Sequence, residues 1–352
     1  MRSLLSILLI GVPVTLILTL VGLTQGMLQD AQTRQRGAGA DIVIRGSTAT
    51  SVATMSGPSI PEGVVSKIEE QPHVKLAMGV INHPIDLPLL VTGIDVAKFN
   101  AMTGGFTFDS GGTFQGPDDI LIDTYYAAQR SARVGSTLDL MGHKWRVAGI
   151  VQPGKLARIA MPLNVLQDLD AASHKVGQIY VKVDDPANIS KVVGDLQHLL
   201  PPDYHVNTMA EYLALYSVSN IQGVREFTVV VMAIGVIIGF CVVCLSQYMS
   251  VLQRTREIGI LKALGASNGF ILGIVLLEAL LLGVGGTIIG VLLSFGAYWL
   301  IGTLVPASIP MIIVPGWWPI AGAITLVGAG LGALYPGLSA ARHDPIEALA
   351  YE

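Results

Sequence analysis

Residues 227–267 read FTVVVMAIGVIIGFCVVCLSQYM, then SVLQ, then RTREIGILKALGAS. The first run is uncharged and longer than the ~20 apolar residues that a helix rising ~1.5 Å per residue needs to cross a bilayer. It predicts a membrane span from about Phe227 to Met249, bounded by Glu226 before it and Arg254 after it. The last run has a different character. Ile258, Leu261 and Leu264 recur at helical spacing while Arg254, Glu257 and Lys262 form a charged rim, the pattern of a short amphipathic helix at a surface. Gly265 suits its C-terminal stop, and Ser267 suits the cap of the helix that follows.

Outward from this stretch the apolar runs repeat. About 270–301 and 317–335 predict a third and a fourth span, the latter entered by Trp317-Trp318 as an interfacial aromatic belt. Ser3 to Gln29 is uncharged, with an apolar core from Leu4 to Leu23, and predicts a first span over 1–29. Arg2 ahead of it imitates a secretory signal, but the run is long for one and no small-residue cleavage pattern follows near Gly22 to Gly26, so an uncleaved anchor is expected. Only 13% of the 352 residues are charged, against about 25% in soluble domains, which excludes a purely soluble chain. The net charge of -4 leaves no basic footprint for nucleic acid. Arg254, Arg256 and Lys262 lie in the loop 250–267, whereas 302–316 holds neither Lys nor Arg. The positive-inside rule then places loop 250–267 and both termini in the cytoplasm, and residues 30–226 form one large extracytoplasmic domain.

Within that domain Ser59 reads as an N-cap and Pro61 as the first turn of a helix through Glu70, followed by an extended stretch from Val74 to Val80. A similar unit comes late. Gln178 to Val183 alternates like a strand, Ala187 to Leu200 carries Ile189, Val192, Val193, Leu196 and Leu199 on one helical side, and Tyr204 to Asn207 is extended. Between the two, 137–141 and 144–151 flank a hairpin turn at Gly142-His143, and 157–163 predicts another strand. The fold class is thus an α-helical membrane protein with four transmembrane helices plus a large extracytoplasmic α+β domain, two α/β units framing a β-rich lobe. Ala210 to Phe227 is expected to form a helix running straight into the second span.

Catalytic chemistry is not expected. The seven histidines are scattered, neither H-E-x-x-H nor G-x-S-x-G occurs, and Asp118-Asp119 and Asp184-Asp185 stand beside turn residues as solvated loops. No metal site is read, and without a G-x-x-x-x-G-K-[ST] loop any ATP is handled by another polypeptide. Cys241 and Cys244 have redox spacing but sit in an apolar run, where burial as small side chains is the better account. Glu278 is the one acid well inside a span, with no base in the others, and stands either as a functional residue or as a hydrogen-bonded packing residue. Gly286 and Gly290, and Gly328 and Gly332, have the four-residue spacing that lets helices approach closely.

The run Arg254 to Ser267 strongly resembles the cytoplasmic coupling segment of the MacB/FtsX-like, or type VII, ABC permeases, whose pattern is R-x-R-E-I-G-[IL]-[LR]-x-A-[LI]-G-A. Glu278 followed by Gly283, Gly285, Gly286 and Gly290 resembles a second family feature. YPGLSAARHDPIEAL at 335–349 resembles the family's P-x-x-x-A-A-R-x-x-P-x-E-A-L ending. The layout resembles the family over the whole chain: a first helix, a MacB-like periplasmic core over 30–226, and an FtsX-like membrane domain over 227–352.

The resemblance implies a separate permease subunit in the bacterial cytoplasmic (inner) membrane, without an ATPase of its own. Its cofactors, ATP and Mg, belong to a partner cytoplasmic ABC ATPase. Arg254, Arg256, Glu257, Ile258, Gly259, Leu261, Lys262, Leu264 and Gly265 would be the coupling residues toward that ATPase. A homodimer or a heterodimer with a related permease, a periplasmic adaptor and membrane lipid are the other implied partners. The implied activity is export or extraction of an amphiphile such as a lipoprotein, lipid, haem or drug, driven by movement of the outer domain. The alternative is an FtsX-like mechanotransmission regulator of an envelope enzyme. An enzyme with its own active site fits neither the coupling run nor the lack of catalytic clusters.

Overall fold

The computed structural model describes residues 2–46, 59–86, 89–216, 224–304 and 310–342. From the N-terminus, α1 (Arg2–Arg36) precedes β1 (Ile42–Arg45), β2 (Ile60–Pro61), α2 (Gly63–Glu69), β3 (Val74–Asp86), β4 (Leu89–Ile94), α3 (Val96–Thr103) and β5 (Phe108–Gly111). Then come β6 (Asp119–Asp123), α4 (Thr124–Arg130), β7 (Thr137–Leu140), β8 (His143–Val151), β9 (Ile159–Pro162), α5 (Leu163–Leu169) and β10 (Lys175–Val176). They are followed by β11 (Gln178–Val183), α6 (Ile189–Leu199), β12 (His205–Thr208) and α7 (Met209–Ala214). Last are α8 (Val224–Gln253), α9 (Thr255–Ala263), α10 (Asn268–Leu304) and α11 (Trp318–Arg342). The chain divides into a membrane unit (Met1–Thr24, Arg225–Leu300, Met311–Glu352) and a second unit (Gln25–Val224, Ile301–Pro310).

In the membrane unit α1, α8, α10 and α11 are long and apolar enough to cross a membrane, and as helices they satisfy their own backbone polar groups there. Glycine decides how closely they pack. A Cβ at Gly290 of α10 would lie 2.5 Å from Val14 Cβ and 2.9 Å from the Gly11 carbonyl of α1, and one at Gly286 would lie 2.4 Å from Ile10 Cγ2. Thr15 of α1 donates to the Gly290 carbonyl at 3.2 Å across the same contact. On α11 a Cβ at Gly332 would come within 2.8 Å of the Phe240 carbonyl of α8, whereas at Gly328 it would meet nothing nearer than 3.9 Å. Three of the four glycines singled out from spacing are therefore used for packing within this chain, and Gly328 is not. The expected burial of the cysteines also fails: Cys241 is exposed on α8 and Cys244 only half-buried.

In the second unit β12, β1, β11 and β3 are neighbours in that order, all antiparallel. With α2 between β1 and β3, and α6 between β11 and β12, this is the β-α-β-β-α-β arrangement of ferredoxin-like sheets. The two α/β units at opposite ends of the sequence are thus halves of one sheet. Both faces of that sheet are covered. Ile42, Ile44, Ile179 and Val181 share one cluster with Val192 and Leu196 of α6, and alternate Val43, Met78 and Tyr180 join the other with Tyr212. Leu199, expected on the apolar side of α6, is largely exposed. β3 continues past Val80 to Asp86 and carries the sheet onward through β4, β9, β6, β8 and β5, with β7 on β8.

Several boundaries differ from expectation. Ile60 and Pro61 form β2 against β10, so α2 starts only at Gly63 with Glu62 as its N-cap. The β7–β8 hairpin turns on Met141 and Gly142, one residue early, both with positive φ as a two-residue primed turn requires. α7 stops at Ala214 with a turn at Leu215, so the helix expected from Ala210 to Phe227 is interrupted; residues 217–223 lie outside the described residues. α1 instead is the helix that outlasts its span, continuing about two turns past Gln29 to Arg36.

Candidate functional site

Helix α9 is defined at both ends by its own sequence. Arg254 stands at its N-cap and Thr255 Oγ1 donates back to the Val251 and Leu252 carbonyls, closing the end of α8. Glu257 in the first turn and Lys262 in the last complement the helix dipole. At the C-terminus Gly265 adopts φ 96°, its N–H donates to the Lys262 carbonyl at 2.9 Å, and the Ala266 N–H reaches the Leu261 carbonyl at 3.0 Å. This is a Schellman stop, which glycine at that position permits without strain. Ser267 Oγ then accepts from the Phe270 N–H at 3.2 Å and caps α10.

The predicted coupling residues divide between two sides of α9. Ile258 packs against the apolar core that includes Val251, Ile271, Val275 and Ala341, and Gly259 is buried. Lys262 Nζ donates to the Ala341 carbonyl of α11 at 2.7 Å. Arg254 Nη1 meets Glu278 Oε2 of α10 at 3.3 Å, while Ser250 Oγ lies 3.4 Å from the other carboxylate oxygen. The opposite side presents Arg256, Gly265 and Leu264, the last 81% exposed, while Glu257 and Leu261 stand between the two sides, exposed yet lining the space between α8, α9 and α10. Ile258 is thus a root of the helix in the bundle and not part of its free face. That face is completed by Ile260, which helical spacing had not singled out.

Glu278 is not without a base. Its partner comes from the coupling run, 24 residues earlier, and not from another span. A scan for bases inside spans passes over Arg254 because the residue stands just beyond the end of α8; only the return of α10 alongside α8 brings the two together.

Several acids of the second unit have partners within the fold. Asp119 is buried on β6, receives both Nε and Nη2 of Arg146 at 2.7 and 2.9 Å, and accepts the N–H groups of Gln115 and Gly116. The Arg146 hydrogen bond, aided by those N–H groups against the cost of burial, holds its carboxyl below the usual range. Asp123, 2% exposed, caps α4 through the Tyr126 N–H and meets Arg158 Nη1 at 2.7 Å; burial nonetheless pushes its carboxyl up. Arg158 also reaches Asp30 of α1 at 3.0 Å, and Asp30 pairs with Arg34 at 2.9 Å. Asp118 faces His143, and Asp184 accepts from Asn188 Nδ2 and contacts His73. Asp185 caps a 3-10 turn through the Ala187 N–H. Of the two acid pairs read as solvated loops, Asp119 departs most, because β6 is an interior strand of the sheet. Among the described residues no group of three His, Cys, Asp or Glu is placed to hold a metal ion.

Comparison with known proteins identifies the family. A model of the MacB-like periplasmic core domain matches residues 3–199, and one of the FtsX-like permease C-terminal region matches 229–345. The chain belongs to the MacB/FtsX-like permease family and is a multi-pass membrane protein. It is 32% identical over 241 residues to an uncharacterized ABC transporter permease, MJ1507, of Methanocaldococcus jannaschii, covering 63% of this chain and 59% of that one. It is 29% identical over 227 residues to the uncharacterized ABC transporter permease YknZ of Bacillus subtilis, covering 62% and 55%. The chain therefore spans little more than half the length of these relatives. The crystal structure of the periplasmic region of MacB from Actinobacillus actinomycetemcomitans aligns at 14% identity with a TM-score of 0.38, over 53% of this chain and 97% of that one.

Proposed function

We propose that the chain is the permease subunit of an ABC transporter, coupling ATP hydrolysis by a separate cytoplasmic ATPase to movement of its extracytoplasmic domain, and thereby driving export or extraction of an amphiphile. The observation that carries this reading is the two-sided build of α9. Ile258, Lys262 and Arg254 fasten it to α8, α10 and α11, while Ile260 and Leu264 are left uncovered beside Arg256, with Leu261 and Glu257 at the edge of that face. An amphipathic helix held at its root and open on its apolar side is what a groove on a partner recognises. The basic residues of 254–262 put this side in the cytoplasm by the positive-inside rule. ATP and Mg belong to the partner in this reading. α8, the least covered of the four long helices, is the face assigned to a second permease copy. The path for movement is assigned to α1, helical from Arg2 to Arg36, whose last turns are held by Asp30, Gln32 and Arg34.

The test is co-purification. Ile260→Asp with Leu264→Asp is expected to separate the ATPase from a permease that remains folded, because neither residue belongs to the bundle core. Undiminished ATPase binding by that double variant refutes the assignment. Ile258→Asp is the unsuitable choice, since it places a charge in the core of the bundle.

A further inference from the structure

A cavity of about 100 Å³ opens where α8, α9 and α10 meet. Its polar lining is Gln247, Ser250, Arg254, Glu257 and Glu278. Gln247 is 1% exposed, yet neither its Nε2 nor its Oε1 has a hydrogen-bond partner. A buried amide with both ends unpaired carries the full desolvation penalty of its polar atoms. The cavity it lines is far larger than the roughly 15 Å³ that one water requires. The two contacts that Glu278 does make, at 3.3 and 3.4 Å, are long for a carboxylate. Donors and acceptors are thus gathered around a space and under-used by one another.

We propose that this cavity binds the headgroup of a zwitterionic phospholipid that carries a primary ammonium group. Two carboxylates, Glu257 and Glu278, and one guanidinium, Arg254, line it, and only Glu278 meets Arg254; the excess negative charge calls for a cation, and Arg254 for the phosphate beside it. The Gln247 amide can donate to a phosphate or ester oxygen and accept from the ammonium. A lipid fits better than a soluble zwitterion because the remaining wall is apolar. Ile274 lines the cavity, and exposed Leu277 and Leu281 continue its stripe along α10 as a track for an acyl chain. Gln247 lies seven residues before Arg254 on α8, about 10 Å along the helix, the reach from an interfacial headgroup to its ester region. The inference rests on the membrane placement of α8 and α10; the cavity borders the face assigned to the ATPase through Glu257 and Leu261, but Gln247 and Glu278, on which the test acts, lie outside that face.

The whole chain, delipidated in detergent, is supplied separately with phosphatidylethanolamine, phosphatidylcholine and phosphatidylglycerol, and bound lipid is counted by native mass spectrometry. Phosphatidylethanolamine is expected to be retained over the other two. Gln247→Met, which keeps the side chain's shape, and Glu278→Gln, which keeps its size but removes its charge and one acceptor oxygen, are each expected to weaken that retention about tenfold, the loss of one buried hydrogen bond to a charged group. Equal retention of the three lipids by the unaltered chain, as for a cavity that holds water only, overturns the proposal. So does a phosphatidylethanolamine preference that survives both substitutions in variants of unchanged thermal stability.

Discussion

Arg158 in the second unit and Arg254 in the membrane unit both pair with carboxylates, but on different terms. Arg158 is 2% exposed, meets Asp123 at 2.7 Å and Asp30 at 3.0 Å, and lies over the Tyr125 ring. Arg254 is half exposed, has one contact to Glu278 at 3.3 Å, and lines the same cavity as the unpaired amide of Gln247. The first arrangement is closed: charges are answered by charges within the fold, and their removal should be felt as lost stability. The second is open, with polar groups assembled around a space, and their removal should be felt as altered binding. The contrast is between a buried charge whose partners are complete and half-exposed charges around a buried amide whose partners are not.

The largest effect that would break this comparison is expected at Arg158. Arg158→Met leaves Asp123 buried without its cation, and loss of one member of a buried pair costs about 3–5 kcal/mol. The urea midpoint of protease resistance across residues 25–216 should fall accordingly; a midpoint within error of the unaltered chain would show that Asp123 simply takes up a proton.

A middle-sized effect concerns the glycines of the bundle. Gly290→Ala drives a methyl to within 2.5 Å of Val14 Cβ and 2.9 Å of a backbone carbonyl, and overpacking of this kind costs about 1–3 kcal/mol. Gly328→Ala has only ordinary contacts at 3.9 Å or more and should change thermal stability by less than about 0.5 kcal/mol. If both variants behave alike in detergent melts, the close approach of α1 and α10 is not what the Gly286 and Gly290 spacing serves.

The smallest effect is a titration. Hydrogen bonding to Asn188, and to His73 after it, holds the exposed Asp184 carboxyl at about 2, below its ordinary 3.8. A depressed carboxyl contributes stability that is fully present above the unfolded value and lost as pH falls from about 4 through about 2. Asn188→Ala should return the carboxyl resonance midpoint toward 3.8, with a small loss of stability at neutral pH that disappears as pH falls to about 2. An unmoved midpoint would assign the shift to His73 alone.

How legible each region was follows from how local its determinants are. The Gly265 stop and the Ser267 cap of α9 and α10 were readable because each depends on a few consecutive residues. The buried strands β1 and β6 were not, although β11, almost as buried, was. β1, Ile42–Arg45, shows no alternation because neither side faces water, and nothing in four apolar-to-basic residues separates it from a loop. Ile60 and Pro61 carried a helix-start signal, but pairing with β10, more than a hundred residues later, made them a strand. In the same way Asp119 reads as a turn residue until Arg146 arrives from β8.

The sequence by itself determined the four apolar helices, the amphipathic run between the second and third, and the family to which their order belongs. These depend on hydropathy over about 20 residues and on motifs within a few turns of helix. Tertiary structure alone decided that the distant α/β units share one sheet, that Ile258 faces inward while Ile260 faces out, and that Glu278 meets Arg254 at a cavity also lined by an unpaired Gln247. Each of these requires two segments far apart in the chain to meet, and which side chains then find partners is set by the packing of whole elements and not by the spacing of residues along one of them.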